Sequence, residues 1–224
     1  VIQKRQPEPV ERPPPPKLHL SRRCLELSGT SAEKYRDLDG KAVHLVYLVW
    51  FPGEEYQASA REIVAAQTTD LLNSALLDRP NTTLHVAVSS KGSDDLKWFK
   101  QLRIMSRQNV KLFVTNKNLY EFPGIRLVWE LGCQDPEGIY FYFHNKGATY
   151  GKGRTLLERA LFEQTLGKWK EVLSIMASDK TISTIGMVGG PSFQWFNFFW
   201  IRGSRFSTLP KPLISTDRWY YEHW

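Results

Sequence analysis

The stretch "AVHLVYLVWF", residues 42–51, limits this chain more than any other feature. It is an apolar run broken only by His44 and closed by Pro52-Gly53. A strand written this way, without polar alternation, has to be covered on both faces. It therefore belongs in the interior of a sheet with helices on either side. Residues 56–77 supply one such cover, since Ala60, Ile63, Val64, Leu71, Leu72, Ala75 and Leu76 recur there at helical spacing.

The same alternation continues to residue 190. "TTLHVAVSS" (82–90) reads as a second strand and 94–106 as a helix, with "NVKLFVTN" (109–116) as a third strand. Pro123 suits the first turn of a helix reaching about Cys133. "EGIYFYFH" (137–144) is a fourth strand, 155–177 the longest helix, and "TISTIGMVGG" (181–190) a fifth strand. The βαβαβαβαβ order predicts one α/β domain, a mostly parallel central sheet flanked by helices. At 42% hydrophobic and 13% aromatic residues, 224 residues can bury one such core. No apolar run approaches the length of a membrane span.

Residues 1–17 hold six of the thirteen prolines and read as a linker or stem with extended polyproline character, leaving 18–224 for the domain. A proline-rich ligand for a partner domain is the other reading of that segment. There is no initiating Met or signal peptide, and Trp224 falls in a helix-like run. The sequence thus reads as trimmed, with any membrane association left to a segment beyond it and localisation open between cytoplasm and a secretory lumen. Cys24 and Cys133 are too few for a disulfide framework or a zinc site. The net charge of +7 suits a phosphate-bearing partner, but Lys and Arg are scattered and no basic run alternates with aromatics, which argues against nucleic acid.

In open α/β sheets, ligands bind beyond the carboxyl ends of the strands. That places Trp50 to Gly53, Ser89 to Lys91, and His144-Asn145-Lys146 at one edge. A Lys and a His beside a turn with Gly147, Gly151 and Gly153 can hold a diphosphate through charge and backbone N–H groups, although a solvated loop would read similarly. Neither a phosphate-binding Walker loop nor a G-x-G-x-x-G dinucleotide turn is present. Farther on, "PSFQWFNFFWIRGSRF" (191–206) sets aromatics around Gln194 and Asn197, with Arg202 and Arg205 behind them. Such a run is either core or an aromatic wall suited to sugars, with Trp195, Asn197, Arg202 and Arg205 facing an acceptor or phosphates. "STDRWYYEHW" (215–224) puts Asp217 at an expected N-cap and Glu222 on the helix after it.

"YEFPGIRLVWELGCQDPEGIYFYFHNKGATYG" resembles a family of GT-A-like glycosyltransferases that read approximately "YEFPT…LWE…YFLYFHTKG". Members occur among enzymes of surface-glycan synthesis in large algal viruses and in bacterial polysaccharide loci. Two further blocks match in order, "NFFWIRGSRF" for "NFWWA(R/K)xSY" and "DRWYYEHW" for "DRYYxExW". The resemblance spans residue 42 to the end, with Asn145 where Thr is usual.

That resemblance implies a GT-A-like, Rossmann-type domain and a nucleotide-sugar donor, UDP-linked, with a glycan or glycoprotein acceptor. The base would lie near Val49, Trp50, Phe51, Gly53, Ser89 and Lys91, and the diphosphate near His144, Asn145 and Lys146. Most GT-A enzymes carry an Asp-x-Asp metal motif after the fourth strand, where this chain has His144-Asn145-Lys146. Lys146 can neutralise the leaving diphosphate without a metal. No cofactor is therefore required, while Mn or Mg bound by donor phosphates and His144 stays open. An inverting transfer would use a carboxylate base, Asp217 first and Glu222 second. A non-catalytic sugar- or nucleotide-binding module is the competing class.

Overall fold

A computed structural model describes residues 40–90, 92–151, 153–187, 197–217 and 220–223, the side chains of Glu222 and His223 excepted. The linker expected over 1–17 lies outside this range. Among the described residues six strands form one sheet in the order β3-β2-β1-β4-β6-β5. β1 (Val43–Phe51) pairs in parallel with β2 (Thr82–Ser90) and with β4 (Ile139–His144). β3 (Val110–Thr115) closes the parallel half as an edge strand. β6 (Phe199–Arg202) runs antiparallel to β4, and β5 (Thr184–Gly186) antiparallel to β6. The architecture is a Rossmann-like α/β domain with a mixed, mostly parallel sheet, as the strand pattern predicts.

The lack of alternation in β1 is explained by two cores. Val43, Leu45, Tyr47, Val49 and Phe51 face one cluster, covered by α1 (Gln57–Asn73), α2 (Ser93–Lys100), α4 (Leu156–Thr165) and α5 (Trp169–Ser178). Val46 and Leu48 face the other, with Tyr140, Tyr142, Phe199 and Ile201, covered by α3 (Phe122–Gln134), α6 (Gly203–Phe206) and α7 (Tyr220–His223). Burying each large apolar side chain contributes about 1.5–3 kcal/mol, so a double-faced strand anchors the fold. α3 lies very close to the sheet: a Cβ on Gly124 would stand 2.7 Å from the Tyr142 ring and 2.9 Å from Leu48.

Two expectations need correction. The segment read as a fifth strand over 181–190 gives only the three-residue, half-buried β5, antiparallel at the edge, and 188–190 lie outside the described residues. The strand beside β4 comes instead from the aromatic run, whose Phe198, Phe199, Trp200 and Ile201 are core. Strand and aromatic wall look alike in sequence because a strand buried on both faces has no polar alternation. The single helix expected over 155–177 is two, broken at Gly167. Its N–H bonds the Phe162 carbonyl, and a Cβ there would meet the Glu163 carbonyl at 2.6 Å.

At the amino ends of β1 and β2, His44 Nδ1 lies 3.2 Å from His85 Nε2, and His44 Nε2 3.2 Å from Asp135 Oδ2. Burial, followed by the fields of His44 and Lys111, pushes His85 down to about 3. His44 is lowered too, by burial working against Asp135. An unfolded chain takes up a proton on His85 near pH 6.5, and the native state does not. Stability is therefore complete above that pH and declines as pH falls toward 3. Between pH 6.5 and 4.5 His85 should cost about 2 kcal/mol, and His85→Asn should flatten that part of the curve in urea titrations at each pH. Identical slopes for variant and wild type would contradict this.

Candidate functional site

The carboxyl ends of the parallel strands fall on one line. The register pairs Ser89 with Thr115 and with Trp50, and Leu48 with His144. Past His144 the ladder continues for one further step, made by a side chain. Asn145 Oδ1 accepts from Trp50 N–H at 2.9 Å, and Asn145 Nδ2 donates to the Trp50 carbonyl at 2.8 Å. The amide thus substitutes for a strand backbone and ties the end of β4 to β1. Asn145 is buried, and the two bonds to half-buried Trp50 are partly shielded from water.

Beyond that clamp the chain turns sharply. Lys146 N–H bonds the His144 carbonyl at 2.8 Å, and Gly147 takes φ +91. The φ of +60 at Gly153 favours glycine for its left-handed backbone, and the Glu62 carboxylate lies against it. A buried polar chain holds the loop from below. Tyr47 Oη donates to Gln67 Oε1 at 2.6 Å, and Gln67 Nε2 donates to the His144 carbonyl at 3.2 Å and to Glu158 Oε1 at 2.8 Å. Arg154 then bridges Glu158 Oε2 at 2.5 Å and Asp70 Oδ2 at 2.6 Å. Burial raises the Glu158 carboxyl, opposed by Arg154 and Gln67.

His144 points to the α3 face, as its partner Leu48 does. It is 8% exposed, and Phe198 meets it edge-on at 5.3 Å between ring centroids. Burial first, and Lys146 second, hold it well below the ordinary imidazole value. It is therefore neutral at physiological pH and adds no charge to the site. Its Nδ1 faces Glu121 Oε2 at 3.6 Å. Glu121 heads α3 and accepts from Asn197 Nδ2 at 2.7 Å and from Tyr142 Oη at 3.3 Å. Burial and then Glu121 raise the Tyr142 phenol, so it stays a donor. Tyr221 of α7 packs in the same apolar cluster.

Comparison with protein-family models and with curated proteins found no match to this chain.

The structure brings together only some of the residues expected at the site. Trp50 is half-buried at the strand edge, Gly53 is exposed in the loop after it, and Lys146 is half-buried after Asn145. Val49 and Phe51 direct their side chains into the core, Phe51 edge-on to Trp98, so only their backbone reaches the edge. Ser89 is buried and donates to the Lys117 carbonyl. Asn145 is a backbone clamp and Asn197 a Glu121 partner. Arg202 is corrected outright. It pairs with Ile139 at the opposite end of β4 and donates to the Ile182, Met176 and Asp179 carbonyls. Arg205 follows it in α6, exposed, with Thr208 as partner. Asp217 is exposed, and its carbonyl accepts from Tyr220 N–H in the turn entering α7. Lys91, Trp195 and the Glu222 side chain lie outside the described residues.

Glu121 is the residue that sequence reasoning misses. Its one signal is an acid immediately before Phe-Pro at a helix start, within the block that carries the family resemblance. Among the described residues no three His, Cys, Asp or Glu side chains converge as a metal-ligand set. A separate groove of about 760 Å³ runs beside α1, α4 and α5, lined by Glu62, Asp70, Arg154, Phe162 and Trp169. Its lining includes none of the residues singled out from sequence.

Because Asn145 satisfies two backbone groups of half-buried Trp50, Asn145→Ala should destabilise the protein by about 1–3 kcal/mol in chemical denaturation. A loss below about 0.5 kcal/mol would show that the clamp does not hold the strand end.

Proposed function

We propose that this chain is a glycosyltransferase that moves a sugar from a nucleotide-sugar donor, UDP-linked, to a hydroxyl of a glycan or glycoprotein acceptor. The observation that carries the reading is the end of β4. There a fully buried strand delivers His144, a clamped Asn145 and the cation Lys146, where GT-A-like enzymes place their metal motif. Three blocks resembling those of that family follow one another in order along this chain.

Chemistry at that position must stabilise charge developing on a departing diphosphate. Lys146 supplies a compact positive charge on a backbone fixed by the Asn145 clamp and by Gln67 beneath the His144 carbonyl. His144 is neutral and contributes shape and a ring nitrogen. Half-buried Trp50 and the exposed Gly53 loop form the side on which the nucleoside base rests. With Lys146 in the cation's role, turnover does not require Mn or Mg and survives a chelator.

Three measurements check this reading. UDP- or GDP-sugars should raise the melting temperature, since a ligand that binds only the folded state adds to its stability. The same donors should release nucleotide slowly when water is the acceptor. Stabilisation without any release would make the protein a binding module. Lys146→Ala should raise the UDP dissociation constant at least tenfold, about 1.4 kcal/mol, in calorimetry. Unaltered affinity would remove Lys146 from the donor site.

A further inference from the structure

We propose that His144 accepts the proton of the attacking hydroxyl in an inverting transfer and that Glu121 positions it, an inference that rests on the glycosyl-transfer reading. One oxygen of Glu121 is fixed by two donors from different elements, Asn197 Nδ2 just before β6 and Tyr142 Oη on β4. The same oxygen faces His144 Nδ1 at 3.6 Å. Nδ1 is buried and has no hydrogen-bond partner among the described residues. An orphaned buried polar atom is destabilising, and the acceptor it faces is this carboxylate. A shift of about 0.7 Å closes the gap to a hydrogen bond.

The consequence is a defined tautomer. A proton on Nδ1 directed at Glu121 leaves the lone pair on Nε2. About a tenth of the His144 side chain is accessible, while its Nδ1 is buried. This surface belongs to the last residue of β4, two before Lys146. Among the described residues, the charged and titratable groups around the pair are Glu121 from α3, Tyr142 from β4, Lys146 from the following loop and Tyr221 from α7. Burial and Lys146 keep the imidazole neutral, and the Glu121 carboxylate, 3.6 Å from Nδ1, faces the charge that the ring gains during the reaction.

In the step itself, the acceptor oxygen forms the new bond to the anomeric carbon while its proton passes to Nε2. The bond from that carbon to the diphosphate oxygen breaks, and its electron pair leaves on the diphosphate beside Lys146. The imidazolium then returns its proton to solvent. His144 is the catalytic residue here and Glu121 the positioning residue.

The test follows nucleotide release from UDP- and GDP-hexoses with water as acceptor, together with calorimetric UDP binding. Wild type, Glu121→Gln, His144→Ala and Asp217→Asn are compared. The expected result is a fall in kcat of about 10²-fold or more for Glu121→Gln and His144→Ala, with UDP affinity within about threefold of wild type. Added imidazole should restore part of the turnover of His144→Ala and none of that of Glu121→Gln. Near-normal kcat for His144→Ala overturns the proposal, as does Asp217→Asn losing turnover while His144→Ala keeps it. A released sugar that retains the donor's anomeric configuration overturns it too. Should His144→Ala not fold, Glu121→Gln decides: unchanged kcat is fatal, and lowered kcat at unchanged UDP affinity supports it. A wild-type protein that neither binds UDP nor releases nucleotide defeats the glycosyl-transfer reading and this inference together. Active wild type with unaffected variants defeats the inference alone.

Discussion

At the end of β4 a side-chain amide acts as one more residue of strand, and the geometry of the candidate site depends on it. A parallel ladder ends where one strand turns away, leaving the neighbour's N–H and carbonyl unpaired at the sheet's edge. Here Asn145 fills both vacancies on Trp50, so β4 can end abruptly without orphaning the backbone of β1. The abruptness matters, because the next residue is the cation. Without the clamp, His144 and Lys146 would hang from a fraying strand end, and neither a diphosphate contact nor an oriented imidazole would hold its geometry.

Support for the clamp comes from below and from the side. Below, Gln67 is held by Tyr47 and gripped by Glu158, which Arg154 in turn ties to Asp70. Buried ionic groups of this kind add little net stability over apolar packing, but removing one partner is costly. The network therefore favours one loop conformation, the one in which Gln67 meets the His144 carbonyl. On the other face, Gly124 lets α3 approach the sheet closely enough to bring Glu121, at its head, beside Tyr142 and His144.

Much of this is legible in sequence. The unbroken apolar runs of β1 and β4 require cover on both faces, and the helical spacing between strands supplies it, so the parallel half of the sheet and its carboxyl-end edge follow from pattern alone. Lys146 and His144 stand out because polar residues at the end of a buried strand demand a reason. Side-chain direction is not legible. Val49 and Phe51 sit at the right edge but face the core, and Arg202 sits at the wrong end, because β6 runs opposite to β4. Strand polarity reverses which end of a run carries the site, and an aromatic run carries no mark of its direction. Glu121 escapes because its role depends on Asn197, 76 residues away, and no local pattern reports such a contact.

The glycosyl-transfer reading stands or falls on whether a nucleotide diphosphate binds at the end of β4. A crystal structure with UDP answers that. Diphosphate oxygens should lie within about 3.2 Å of Lys146 Nζ, with the nucleoside beside Trp50 and His144 on the α3 side of the phosphates. UDP seated instead in the groove beside α1, α4 and α5, or held with Lys146 turned away from it, would contradict the reading.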